Sequence, residues 1–390
     1  MPAFKRKIFY LSGFDPRGAR FYHQLYAEQA GLFGRTANRA ISVGKRRRAP
    51  PHSVAWTIED KGSDEGGSDE GGRDRDDGAV TDHVFLGWDD VVRSHWVKNP
   101  LALLRRSVAA YWNFTRLLDW PIVKTFPWGV RFAFYYPGVS TILLPILFGL
   151  LLALPLILLL GSTWGVAAAA LVGIAVAMFV VKKIQGFWLL RFIIFNDTLA
   201  SERLPADVDD RMAEFAGQIR ASFDEDWDEI LFVTHSNGSI LAVPIMAQLL
   251  EEHGGALPDR FSLVTLGSCI ALIGNRKDSR RFHALLERVG QGDFRWLDIG
   301  SITDGACIAG IDPCISCAQP RRARLFQTSP RWFRYCDPAT YEARRRNKYE
   351  THFDYLRTFD RISPLDYLAI SSGPRPLTDS IAAFKAENDV

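Results

Sequence analysis

Between Phe132 and Val181 the chain carries not one Asp, Glu, Lys, Arg or His. A charge-free run of that length is too long for one membrane crossing and suits two, because a helix needs about 20 apolar residues to cross roughly 30 Å of hydrocarbon. The run therefore predicts a two-helix transmembrane hairpin over 132–183. The first span is expected at about 141–160, "TILLPILFGLLLALPLILLL". Pro145 and Pro155 are tolerated there because neighbouring groups re-satisfy the freed carbonyls. "GSTWG" reads as a tight turn with Trp164 at the interface. The second span is expected at about 166–183; its Ala-Gly composition suits close helix packing, and Lys182 and Lys183 would snorkel.

The flanks orient the hairpin. Lys98, Arg105, Arg106, Arg116, Lys124 and Arg131 precede it against Asp119 alone, Lys182, Lys183 and Arg191 follow it, and the connecting turn is uncharged. Cytoplasmic loops carry the excess of Lys and Arg, so both ends are expected in the cytoplasm of a two-pass protein of the cell inner membrane, with the turn outside. The aromatic-basic segments on either side, "YWNFTRLLDWPIVKTFPWGVRFAFYY" and "IQGFWLLRFIIF", are expected to lie along the bilayer surface or to pack on the globular part.

Outside that region strands and helices alternate. "KIFYLSGF", "RAISVGK", "SVAWTIE" and the start of "DHVFLGWDDVVRSHWV" read as strands or strand-like; "RFYHQLYAEQAGLFG" reads as a helix. After the hairpin come a helix in "DVDDRMAEFAGQIRASFDEDW" and a strand over Ile230–Thr234. A helix over Ser239–Glu252, a strand over Phe261–Leu266, a helix near Ser279–Val289 and a strand over Phe294–Ile299 complete the pattern. Such alternation predicts an α/β fold, a mostly parallel sheet with helices on both faces. One sheet domain is thus split in sequence into 1–60 and 205–390, around a helical and interfacial segment at 80–131, the hairpin and a connector at 184–204. "KGSDEGGSDEGGRDRDDGA", 61–79, is acidic, repetitive and Gly-rich, and is expected to be disordered. "MPAFKRKIFYL" lacks the apolar core of a cleavable signal. A formal net charge of +3 without a long basic stripe excludes a nucleic-acid binder. The five cysteines are expected to be reduced; "CISC" at Cys314–Cys317 has no matching second pair, so no metal or other cofactor is expected.

"DEILFVTHSNGSILAV" carries the chemistry. An apolar strand breaks at His235-Ser236 and restarts as an apolar helix, which is how a nucleophile elbow lifts a serine oxygen above a sheet. Gly238 supplies the small residue needed two positions on, whereas Thr234 stands where glycine is usual. A serine needs a base, oriented by an acid, in the chain order Ser, acid, His. Asp304, in the loop after a strand, is preferred as the acid to Asp298 within it and to Asp312 beyond. His352 is the only histidine downstream of Asp304, whereas His283 fails on order. His235 is read as structural or as lining the pocket. The oxyanion donors are expected to be the N–H groups of Asn237 and Phe14, with Gly13 allowing close backbone approach.

These stretches together resemble a group of bacterial membrane-associated α/β-hydrolase-like proteins. The matching segments are "FYLSGFDPRGARFYHQLY", "GWDDVVRSHW", "FVTHSNGS", "WLDIGSITDGACIAGIDP", "HFDYL" and "LDYLAISSGP". The resemblance implies the α/β-hydrolase fold, interrupted here by the hairpin, and Ser236, Asp304 and His352 as its triad. A membrane-anchored serine hydrolase of an ester or thioester is then expected, its partners the lipid bilayer and a small-molecule or lipid ester. The rivals are a scaffold of the same fold without turnover, to which Thr234 points, and an acyltransferase using the same triad.

Overall fold

A computed structural model describes residues 3–49, 51–62 and 78–389. Most of the acidic Gly-rich segment, 63–77, lies outside the described residues. The chain divides into two compact units: Met1–Ser94, Glu202–Asn275 and Ser279–Val390 form one; His95–Ser201 and Arg276–Asp278 form the other.

The first unit is an α/β structure built on a nine-stranded mixed sheet, most of it parallel. The strands are β1 Phe4–Leu11, β2 Ile41–Val43, β3 Arg47–Ala49, β4 Ser53–Asp60, β5 Ala79–Leu86, β6 Glu229–His235, β7 Phe261–Leu266, β8 Arg295–Ile299 and β9 Arg324–Thr328. They are ordered β2-β4-β5-β1-β6-β7-β8-β9, with β3 pairing β4. From β5 through β9 every pairing is parallel; β4 runs antiparallel to β2, β3 and β5. β5 stands inside the sheet, although the sequence suggests grouping it with the helical segment 80–131. Every residue of β6 and β7 is buried. Successive side chains point to opposite faces, so burial of both sets means both faces of these strands are covered.

One face packs against α1, Ala19–Ala37, through Tyr22, Tyr26 and Phe33, and against the C-terminal helices through Leu368 and Phe384. Within this core the His83 ring stacks on Trp56 with centroids 4.2 Å apart, and its Nε2 lies 2.8 Å from the Tyr367 hydroxyl. Burial pushes the His83 pKa down to about 3. The other helices of this unit are α2 (Asp89–Ser94), α8 (Ala206–Ala221), α9 (Gly238–Glu252), α10 (Ile270–Gly274), α11 (Arg280–Gln291), α12 (Trp332–Tyr335), α13 (Pro338–Arg346), α14 (Lys348–Phe353), α15 (Tyr367–Ser372) and α16 (Leu377–Asn388).

The chain leaves β1 toward the β5 side of the sheet and leaves β6 toward the β7 side. The carboxyl ends of β1 and β6 therefore flank a topological switch point, where a crevice opens in α/β sheets.

The second unit contains α3 (Pro100–Leu117), α4 (Trp120–Val123), α5 (Trp128–Leu160), α6 (Ser162–Lys183) and α7 (Gly186–Leu199). α5 and α6 are long and apolar enough to cross a membrane. Their bounds exceed the expected spans: α5 starts at Trp128 and runs through Pro137, Pro145 and Pro155, and α6 starts at Ser162. Gly161, at φ +81°, suffices for the turn, so "STWG" joins the helix. α7 buries Leu190, Phe192, Ile193, Ile194, Phe195 and Asn196 rather than lying along a surface. Apolar residues all round a helix leave it no face for water.

The buried residues of α6 are Gly165, Ala169, Gly173, Ala177 and Val181, one every fourth position. A Cβ added at Gly173 would stand 2.5 Å from the Gly149 amide nitrogen, so the two helices meet backbone to backbone. At Gly129 an added Cβ would meet nothing within 4 Å. Gly173→Ala is thus expected to destabilise the hairpin by about 1–3 kcal/mol, the cost of overpacking. Gly129→Ala is expected not to. The SDS-induced unfolding midpoint in mixed micelles measures both.

Candidate active site

Ser236 follows the last residue of β6 with φ +56°, the left-handed region that a non-glycine residue enters at a cost of about 1–2 kcal/mol. Its N–H donates to the carbonyl of Leu266 at the end of β7 at 2.9 Å. The Ser239 hydroxyl donates to the Ser236 carbonyl at 2.6 Å and accepts the Cys269 N–H at 2.9 Å, clamping the corner from the first turn of α9. Thr234, the departure from the usual pattern, is buried within β6 with its hydroxyl 3.5 Å from the Val264 carbonyl. The strand accommodates it, and the positive φ still falls on the serine.

Two glycines let β1 approach this corner. A Cβ at Gly238 would fall 2.5 Å from the Leu11 carbonyl oxygen; one at Gly13 would fall 2.8 Å from Ser236 Cβ and 3.1 Å from its Oγ. The loop carrying Gly13 and Phe14 therefore lies against the serine. Phe14 is buried with its ring 6.5 Å from Trp88, and the Asp15 N–H donates back to the Gly13 carbonyl at 2.8 Å in a tight turn. Asn237 occupies the N-cap of α9, where backbone N–H groups have no partner within the helix. Its carboxamide is buried, and neither Oδ1 nor Nδ2 has a hydrogen-bond partner within the described protein.

Asp304 lies in the loop after β8 and His352 in α14, 48 residues apart in sequence, yet Asp304 Oδ2 is 2.9 Å from His352 Nδ1. Both are buried. The second carboxylate oxygen, Oδ1, accepts the Ala306 N–H at 2.9 Å. Burial works to raise the Asp304 pKa, but the His352 charge and the hydrogen bonds from His352 and Ala306 outweigh it and hold the carboxyl below its usual range. With Nδ1 on the carboxylate, Nε2 is the ring nitrogen through which a proton would be exchanged.

The other candidates are engaged elsewhere. Asp298 accepts from the Thr265 hydroxyl at 2.5 Å and from Gln327 at 2.8 Å, tying β7, β8 and β9 together, and burial raises its pKa to about 6. Asp312 caps the Cys314 N–H at 2.8 Å and pairs with Arg321 at 3.2 Å. The His283 Nε2 lies 2.8 Å from the Gly274 carbonyl. All five cysteines are free thiols.

Sequence reasoning missed three supports. His235 Nε2 lies 2.8 Å from the His352 carbonyl, and the two rings are 4.8 Å apart, so the residue before Ser236 holds His352. The Tyr355 hydroxyl accepts the Ser301 N–H at 2.9 Å, and its ring packs at Gly267, a left-handed glycine at φ +61°. Arg17 pairs with Asp15 and stacks over Phe21 at 3.8 Å and Phe353 at 4.9 Å, linking the β1 loop to α14. Only the Ser239 position, three residues after the serine on a helix start, carried a local signal.

Compared with protein-family models, with curated proteins and with solved structures, the chain matches none.

Burial, reinforced by the neighbouring His352, pushes the His235 pKa down to about 3. The unfolded chain takes up that proton below about pH 6.5 while the folded state refuses it, so stability falls by about 1.4 kcal/mol per pH unit as pH drops toward 3. Asp298 contributes with the opposite sign, its stability greatest in acid and lost as pH rises through about 6. His235→Gln, which keeps a donor for the His352 carbonyl, is expected to lose only the first contribution. The difference between the two proteins in urea midpoint, followed from pH 7 to pH 4, isolates it.

Proposed function

We propose that the chain is a membrane-anchored serine hydrolase of the α/β-hydrolase class that cleaves an ester or thioester through Ser236, His352 and Asp304. The observation that carries this reading is the buried hydrogen bond between Asp304 and His352, whose ring lies 4.8 Å from that of His235, the residue before a serine held at a left-handed strand-to-helix corner. All three side chains, Ser236, Asp304 and His352, are buried. A carboxylate oriented on an imidazole is the arrangement that serine catalysis requires.

In this reading Ser236 Oγ attacks the substrate carbonyl carbon while His352 Nε2 takes its proton. The backbone N–H groups of Phe14 and Asn237 receive the negative charge that develops on the carbonyl oxygen. His352 then gives its proton to the departing alcohol or thiol, leaving an acyl group on Ser236. Water, deprotonated by the same imidazole, attacks that acyl group and releases the acid. Asp304 orients the ring and stabilises the imidazolium throughout; it stays ionised. A covalent anchor restricts the protein to membranes and favours an ester of lipid origin. The resemblance to bacterial membrane-associated proteins and the basic flanks support an inner-membrane location with both ends cytoplasmic.

The purified protein is expected to be labelled by a fluorophosphonate at Ser236, and Ser236→Ala to abolish the label. Asp304→Asn is expected to slow labelling by about 10⁴-fold. An unlabelled wild-type protein would favour the scaffold; a label that survives in Ser236→Ala would remove the assigned nucleophile. Product analysis with an added alcohol distinguishes acyl transfer from hydrolysis.

Orientation is tested at Ser162, exposed at the start of α6. Ser162→Cys is expected to react with an impermeant maleimide from the outer face. Reaction from the cytoplasmic face alone would invert the topology.

A further inference from the structure

Helix α3 has two apolar faces and only one of them is covered. Asn99 caps it by accepting the Ala102 N–H at 3.0 Å. Leu103, Ser107, Ala110 and Phe114 are buried; the Phe114 ring meets Phe134 edge-on at 5.3 Å, and the Tyr111 hydroxyl donates to the Phe134 carbonyl at 2.8 Å. Leu101, Leu104, Val108 and Trp112 are 77, 44, 56 and 68 % exposed. At 100° per residue these four fall within about 80° of arc, on a face apart from the buried one. Arg105 and Arg116 border the exposed stripe, Arg106 is exposed on the far side of the helix, and Asp119 is the only carboxylate from His95 to Arg131.

The neighbouring helix indicates what covers that stripe. α5, at 33 residues, rises about 50 Å, whereas the hydrocarbon core takes about 30 Å. With the uninterrupted apolar stretch ending at Leu160 filling the hydrocarbon, the turns from Trp128 to about Ser140 rise about 20 Å beyond it, through the headgroup layer. Those turns include Phe134, against which α3 packs. They also carry an aromatic ladder, Trp128–Phe132–Tyr136, with centroids 5.3 and 5.6 Å apart, of the kind enriched at membrane interfaces.

We infer that α3 lies in the plane of the bilayer interface, with Leu101, Leu104, Val108 and Trp112 among the upper acyl chains and Arg105 and Arg116 on the phosphates of anionic phospholipid. An amphipathic helix with this distribution binds both through its apolar area and through anionic headgroups. The inference deepens the membrane part of the proposed function and rests on α5 and α6 as spans; it is independent of the hydrolase chemistry.

The test uses the full chain in nanodiscs of phosphatidylcholine, alone or mixed with phosphatidylglycerol. Cys317→Ser removes the one cysteine that is not buried. A nitroxide is then attached through Trp112→Cys, or through Leu150→Cys as a reference within α5. Collision with oxygen and with an aqueous nickel chelate is expected to put the label at 112 about 5–10 Å below the phosphates and the label at 150 deep in the hydrocarbon. A water-exposed label at 112 with a deep label at 150 would sink the interfacial helix alone. Water-exposed labels at both would sink the spans as well. A label at 112 shielded from both reagents would mean a protein surface covers the stripe, and would equally overturn the inference. Mass spectrometry of co-purified lipid is expected to show enrichment of phosphatidylglycerol over phosphatidylcholine, falling about fivefold for each of Arg105→Gln and Arg116→Gln. Unchanged enrichment in both variants would remove the anionic headgroups from the assignment.

Discussion

The close approach of two backbone segments at the carboxyl ends of β1 and β6 is the constraint from which the site follows. A side chain at Gly238 would strike the Leu11 carbonyl, and one at Gly13 would strike Ser236 itself. With neither present, the loop after β1 and the first turn of α9 share one small volume, and the serine between them is forced into a left-handed conformation. Strain of this kind persists only where the surroundings over-determine it. Here the bond from the Ser236 N–H to Leu266 and the Ser239 clamp hold it from both sides.

His352 is positioned by tertiary contacts rather than by its own helix. α14 has six residues, too few to be stable alone in water. Its place is set from three directions: the carbonyl of His352 bonds His235 at the end of β6, its ring bonds Asp304 in the β8 loop, and Phe353 lies beneath Arg17 of the β1 loop. Each tether comes from the carboxyl end of a different strand. The order of strands in the sheet thus brings His235 and His352, 117 positions apart, together at the strand ends.

What was legible in the sequence tracks how local the cause is. β7 occupies Phe261–Leu266, the bounds its apolar run implies, and β6 and α9 begin one residue earlier than periodicity suggests. Chain order singled out His352, and a place in the loop after a strand favoured Asp304; the structure joins the two by a hydrogen bond. β9 was not legible: Arg324–Thr328 is short, partly exposed and charged, without the apolar run that marks a buried strand. The first turns of α5 were obscured because their interleaved aromatic and basic residues read as an interfacial flank, and the supports from Tyr355 and Arg17 are long-range contacts with no local pattern. His235 was assigned correctly to a structural or pocket role, but its bond to His352 spans 117 residues and leaves no trace in the sequence around either.

Length and composition alone do not distinguish a membrane span from the core helix of a soluble protein; the arrangement of side chains does. In the sheet unit large apolar residues such as Phe232, Phe261 and Trp296 are hidden. In α6 the pattern is inverted: glycine and alanine line the buried side, while Leu171 and Phe179 are 71 and 67 % exposed. In water that would place the residues of greatest transfer free energy on the wrong side, since burial of large apolar surface is the main force for folding. In hydrocarbon the cost vanishes, because lipid tails are as apolar as leucine, and helix association then relies on close backbone packing through small residues. Contact of Gly173 with Gly149 is that kind of packing. The inverted distribution, more than the count of apolar residues, therefore supports lipid as the medium around these two helices.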